Sequence, residues 1–213
     1  MLRTIILSLS LICLAPVAQG QANVRKAKKI LNQVSKHYKG LKTLKATFDL
    51  TITDPNAKKP VKKEGTLFLK GKKYRIETDE TDIICDSKTR WIHFKKSKEV
   101  QIDNYRPEDE EISPNNMFTI YESGFKYLWV ESKTFNGKTA DVIELVPKTD
   151  VEMKEYTKIK LYVNAKQIIG YEIFMRGGSK TLCTVKTQVD NLEIPDKTFT
   201  YTKIAGVKEI DLR

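Results

Sequence analysis

Apolar and polar residues recur along this chain with two different periods. From Asn23 to Gly40 the period is helical. Val24, Ala27, Leu31, Val34 and Tyr38 follow one another at steps of three and four and form a single apolar stripe. Asn23 is placed to cap the start of this helix and Gly40 to stop it. The other side is basic, with Arg25, Lys26, Lys28, Lys29 and Lys36. From Leu44 the period falls to two. Leu44, Ala46, Phe48, Leu50 and Ile52 alternate with Lys45, Thr47, Asp49 and Thr51, as expected of a strand with one buried face.

The same short period continues, broken by turns. "DPNAKKP" is a loop, "VKKEGTLFLK" and "YRIET" are strands, "IICDSKTRWIHF" is a hairpin and "EVQID" is a sixth strand. Strands joined only by turns predict an antiparallel meander. The hairpin's return arm does not alternate. Trp91 and His93 point one way and Ile92 and Phe94 the other, so both faces of the sheet carry bulky groups there.

"PEDEEISPNNMFTIYESGF" interrupts the meander. Glu108–Glu111 reads as an acidic loop. Ser113 and Pro114 make an N-cap and first-turn pair, and Gly124 ends a short helix rich in large apolar groups: Met117, Phe118, Ile120 and Tyr121. So short and apolar a helix must cap a greasy surface. Five more strands follow. "KTFNGK" holds the Asn136-Gly137 hairpin turn, and Gly177-Gly178-Ser179 a second tight turn. The fold expected is mainly β with helices (α+β). It is a curved antiparallel sheet of about eleven strands forming an incomplete β-barrel, with helices as a lid over its concave side.

Composition adds an address and a charge. Arg3, the apolar run Ile5–Leu14 and Ala18-Gln19-Gly20 read as a cleavable signal peptide over residues 1–20. Cys13 follows Ile12 and sits inside the apolar run, so it belongs to that peptide rather than to a lipid anchor. Residues 21–213 are then one exported domain, expected to be a monomer. The net charge of +11 falls to +10 when Arg3 leaves with the leader. In an exported chain that excess points to anionic membrane surfaces or acidic protein partners rather than nucleic acid, or to a solvated lysine-rich surface. Cys85 and Cys183 remain, either as one disulfide or as two buried thiols.

Familiar catalytic patterns are missing. The only histidines are His37 and His93, and H-E-x-x-H, G-x-S-x-G and C-x-x-C do not occur. The Asp79-Glu80-Thr81-Asp82 cluster lacks the spacing of a calcium loop and reads as an acidic turn. No catalytic residue, cofactor or metal ligand is expected. The remaining readings are a binding protein, an exported enzyme on a β scaffold, or a structural surface protein.

Several short motifs, in order, carry a resemblance. The amphipathic helix leads into "LKATFDLTITD", then Gly65-Thr66-Leu67-Phe68-Leu69-Lys70, then "YRIE". Next come Asp86, Lys88, Thr89 and Trp91 of the hairpin, Pro114, Met117 and Phe118 of the second helix, "LVPK" at 145–148 and the ending "FTYTKIAGVKEID". The chain resembles the bacterial periplasmic lipoprotein carriers of the LolA type over most of residues 21–213.

That resemblance implies a periplasmic chaperone that binds the acyl chains of lipoproteins in a hydrophobic cavity. It takes them from an inner-membrane exporter and passes them to an outer-membrane receptor. The implied cavity set is Phe48, Leu67, Leu69, Tyr74, Ile76, Trp91, Met117, Phe118 and Tyr121, under a lid whose stripe is Val24, Ala27, Leu31, Val34 and Tyr38. Ordinary core packing is the alternative for each of them, and a one-residue change of strand phase exchanges the inward set for its neighbours. A lipid or lipoprotein sensor or receptor of the same half-barrel fold is the alternative function. One departure bears on lid control. The family often has Arg-Pro after the lysine of the L-x-L-K strand, the arginine serving as a latch, whereas this chain reads Lys70-Gly71-Lys72-Lys73.

Overall fold

The computed structural model describes residues 15–107, 112–122, 124–148 and 155–213. Arg3 and Ile5–Leu14, expected to belong to a leader, and Glu108–Glu111, expected to be an acidic loop, lie outside the described residues. The chain opens with α1 (Ala15–Lys39). Eleven strands follow as β1 (Thr43–Thr53), β2 (Val61–Lys70), β3 (Lys73–Thr78), β4 (Thr81–Cys85), β5 (Thr89–Phe94), β6 (Glu99–Asn104), β7 (Phe125–Phe135), β8 (Lys138–Pro147), β9 (Tyr156–Asn164), β10 (Gln167–Met175) and β11 (Lys180–Asp190). A twelfth, β12 (Lys208–Asp211), was not expected from the pattern.

All twelve form one sheet in the order β12-β6-β5-β4-β3-β2-β1-β11-β10-β9-β8-β7. Within β1–β6 and within β7–β11, neighbours in sequence pair antiparallel, as the short turns require. The sheet is not closed, because β1 pairs with β11 while β7 and β12 are left as edges. Only the β12–β6 pair is parallel. It needs no crossover helix, since residues 191–207 supply the long return. Register shifts at Lys186 in the β1–β11 pair, at Val130 in the β7–β8 pair and at two places in the β9–β10 pair add local bend and twist.

Two helical expectations change. Helix α1 begins at Ala15, well before Asn23, because the Ala- and Gln-rich residues ahead of Asn23 sustain a helix and override its capping preference. Gly40 does follow the last helical residue, with its N–H bonded to the Lys36 and His37 carbonyls. Residues 114–119 are a run of turns ending in a 3-10 turn, Ile120–Glu122, rather than an α-helix. The Asn116 side-chain oxygen accepts from the Ser113 N–H and the Met117 N–H bonds to the Ser113 carbonyl, as at a helix start. The Thr119 and Glu122 N–H groups then bond three residues back, to the Asn116 and Thr119 carbonyls, so the segment tightens into turns.

The two faces of the sheet have different covers. On one side α1 packs with residues 112–122 over a continuous apolar cluster. On the other side the segment after β11 crosses the sheet as a strap. The Thr43 hydroxyl donates to the Leu192 carbonyl at 2.5 Å, Lys70 Nζ to the Ile194 carbonyl at 2.9 Å, and Arg75 to the Thr198 carbonyl at 3.3 Å. Phe199 is buried and Tyr201 stacks on Trp91. The double-sided hairpin is thereby explained. Ile92 pairs with Ile83, which packs on the helix-side cluster, while Trp91 faces the strap.

Candidate functional site

The site is the apolar hollow between the sheet and α1. The register carries its floor across the strands. Leu44 lies opposite Leu69, Leu69 opposite Tyr74, and Tyr74 opposite Cys85. One step along, Leu67 faces Ile76 and Ile76 faces Ile83. Beyond β11 the floor continues with Tyr171, Leu161 and Ile143 in successive registered pairs. Opposite residues of an antiparallel pair point to the same side, so these rows form one apolar surface.

The lid supplies the roof. Ala27 and Leu31 are fully buried, and Ile30, Val34 and Tyr38 nearly so. Burying a Val, Leu or Ile side chain is worth about 1.5–3 kcal/mol each, so the stripe is the main force seating the helix. Met117, Ile120 and Tyr121 of the second cap are buried in the same cluster, with Phe118 packed against it. The Tyr38 and Phe118 rings stack with centroids 3.6 Å apart.

Few polar ties hold this roof. Tyr38 donates its hydroxyl to Gln188 Oε1 at 2.9 Å and accepts the Ile168 N–H at 3.2 Å. Burial pushes the Tyr38 hydroxyl up to about 12, the two hydrogen bonds pulling the other way. Gln188 in turn donates to Asp190, whose other oxygen lies 3.1 Å from His37 Nε2. At the far end of the helix Lys26 sits 3.5 Å from Asp141 and over the Trp129 ring. Asp141 also accepts from Trp129 and Ser132. Its burial would raise its pKa, but these bonds and Lys26 outweigh that and hold it below the usual carboxylate range. The two caps are tied by Glu122, which accepts from Ser35 at 2.6 Å and Lys39 at 2.7 Å.

A cavity of about 220 Å³ opens at the helix's C-terminal end, lined by Tyr38, Leu41, Leu44, Leu69 and Phe118 among others. It falls below the 300–1,000 Å³ typical of ligand pockets. Asn115 closes its side by donating to the Lys72 carbonyl at 3.0 Å, so the β2–β3 turn does contact the cap. Gly71 lets that turn adopt φ +59°. Lys70 and Lys73 instead point to Asp196 in the strap, on the other face.

Of the cavity set expected from sequence, Leu69, Tyr74, Met117 and Tyr121 are buried in the helix-side cluster, with Leu67, Ile76 and Phe118 against it. Trp91 is on the strap side, because strand phase gives the inward place to Ile92. Phe48 lies outside the cluster with its ring over Gly65, close enough to exclude a Cβ there. Of the stripe, Ala27, Leu31, Val34 and Tyr38 are buried, whereas Val24 is 42% exposed and Ile30 takes a place in the stripe. The half of the floor from β8–β10 was missed. Its signal was the pairing of the "VIEL" and "IKL" alternations. Cys85 and Cys183 are separate buried thiols. Among the described residues no group of three or more His, Cys, Asp or Glu could hold a metal. No helix among them is long and apolar enough to cross a membrane.

An open curved sheet whose apolar face is roofed by a helix is the architecture of a lipid- or lipoprotein-binding carrier. The family model described as "Outer membrane lipoprotein carrier protein LolA" matches residues 39–202, and this chain belongs to that family. The family is one of binding and carrier proteins rather than enzymes. The matched region starts at the last residue of α1. An uncharacterized protein of Methanocaldococcus jannaschii is 27% identical over 191 residues. The match covers 85% of this chain and 53% of that relative, so the chain spans about half the relative's length. A solved structure of an uncharacterized conserved protein from Thermus thermophilus superposes with a TM-score of 0.57 at 8% identity, covering 86% of this chain and 98% of its own. A LolA superfamily protein from Nitrosomonas europaea gives 0.44 at 12% identity, over 82% and 97%.

Proposed function

We propose that residues 21–213 form an exported, periplasmic carrier that takes the acyl chains of lipoproteins into the hollow beneath α1. It receives them from an inner-membrane exporter and delivers them to an outer-membrane receptor. The observation that carries this reading is the nature of the roof. The hollow is closed by a helix and a turn segment laid on it, with polar ties at a few places, rather than by side chains of the strands alone.

The energetics suit a carrier. Each buried acyl CH₂ is worth about 0.8 kcal/mol, so a sixteen-carbon chain would gain roughly 12 kcal/mol. That is close to nanomolar binding before association costs are counted. Release requires an opposing contribution. Displacing Ala27, Ile30, Leu31, Val34 and Tyr38 from the floor provides one, since lipid and lid compete for the same surface. The small existing cavity fits that competition, because an acyl chain needs the lid to yield.

The test is binding of a fluorescent long-chain fatty acyl probe to the purified protein. Saturable binding, displaced by an unlabelled diacylated lipopeptide, is expected. Absence of saturable binding by the folded protein would overturn the reading.

A further inference from the structure

Helix α1 carries six Lys and Arg residues between Ala15 and Lys39 and no Asp or Glu. They do not share one role. Lys26 is engaged with Asp141 and Trp129, and Lys39 with Glu122. Arg25, Lys28, Lys29 and Lys36 are exposed, and among the described residues none has an ion-pair partner. At 100° per residue, Arg25, Lys29 and Lys36 fall within about 40° of one another and Lys28 about 60° to one side. That arc is opposite the buried stripe of Ala27, Ile30, Leu31, Val34 and Tyr38. The roof of the hollow is therefore a ridge of unpaired positive charge. All four of its residues precede the region that the family model matches.

We propose that the outward face of α1 is a docking surface for an anionic lipid bilayer. Two observations favour a bilayer over an acidic protein. The cations form one continuous row without interleaved carboxylates, so they offer a field rather than a pattern of complementary pairs. They are long, exposed side chains with no apolar group of the helix projecting among them, unlike the aromatic-centred patch of a protein interface. Docking in this orientation would set the lid itself against the headgroups. The inference does not depend on what the hollow binds.

Co-sedimentation of the full chain with vesicles tests it. Neutral phosphatidylcholine vesicles are compared with the same vesicles doped with phosphatidylglycerol, at low and at raised salt. Each Lys or Arg near an anionic surface is worth roughly fivefold in partitioning. The quadruple variant Arg25→Gln, Lys28→Gln, Lys29→Gln, Lys36→Gln should lose at least about tenfold on the anionic vesicles. A control with Lys58→Gln, Lys59→Gln, Lys62→Gln and Lys96→Gln changes net charge equally and should lose much less. Both variants keep the same N-terminal residues, so anything the leader contributes is common to both. Equal losses would show diffuse charge, and binding that ignores lipid charge or does not occur would show that the ridge serves another partner. Either result overturns the proposal. Saturable uptake of the acyl probe by the same quadruple variant keeps this outcome separate from that for the hollow.

Discussion

Tyr38 and Phe118 lie face to face, their ring centroids 3.6 Å apart and their planes 11° from parallel. One belongs to the lid helix and the other to the turn segment 80 positions later. The Tyr38 hydroxyl continues through Gln188 to Asp190, so a single residue joins both roof pieces to β11. A carboxylate placed in this stack would be desolvated without a partner. Phe118→Glu is expected to weaken acyl-probe binding at least about tenfold while the sheet stays folded, by circular dichroism. Unchanged affinity would remove the second cap from the binding surface.

The two faces of the sheet make opposite predictions. Trp91 stacks on Tyr201 under the strap, with centroids 6.0 Å apart. Trp91→Ala should cost about 3–5 kcal/mol of stability in denaturant unfolding, less where the cleft can collapse. Its acyl-probe affinity should stay within about twofold of the parent, measured where both are folded. A large loss of affinity at unchanged stability would return Trp91 to the hollow.

Glu122 gives the roof a pH dependence. Hydrogen bonds from Lys39 and Ser35, with the Lys39 charge, hold its carboxyl below its ordinary value. A depressed carboxyl contributes stability that is present above its unfolded pKa and lost as pH falls through the folded one. Thermal midpoints of the parent and of Glu122→Gln should therefore differ at neutral pH and converge in acid. A constant difference across that range would mean that the charge is not what ties the caps together.

The thiols report on the lid without any substitution. Cys85 is fully buried in the helix-side cluster, between Tyr74 and Arg90 in register. Cys183 lies opposite Tyr171, and burial pushes its thiol up to about 12. Both should resist a maleimide at neutral pH, Cys85 because it is inaccessible and Cys183 because its reactive thiolate is disfavoured as well. A bound acyl chain should slow the labelling of Cys85, read by peptide mass, and an unchanged rate would mean that the chain does not lie over it.

The sequence carried the sheet and the lid stripe well, for a physical reason. Steps of three and four at Ala27, Leu31, Val34 and Tyr38, and the alternation of Leu67, Leu69, Tyr74 and Ile76, record burial on one face directly. Strand phase at Trp91 was not legible, because both faces of that hairpin are covered and alternation therefore carries no direction. The strap explains the second cover. It is held mainly by backbone carbonyls at Leu192, Ile194 and Thr198, which leave no trace in residue type. The turns at 114–119 were hidden likewise, since Thr119 and Glu122 bond three residues back through backbone atoms alone, which a helical apolar pattern does not record.

Native mass spectrometry of the protein purified from its own host tests the central claim most directly. The account predicts a folded species carrying an acylated molecule, and that species should be depleted in Phe118→Glu. A folded protein always recovered without acylated cargo, with and without the substitution, would contradict it.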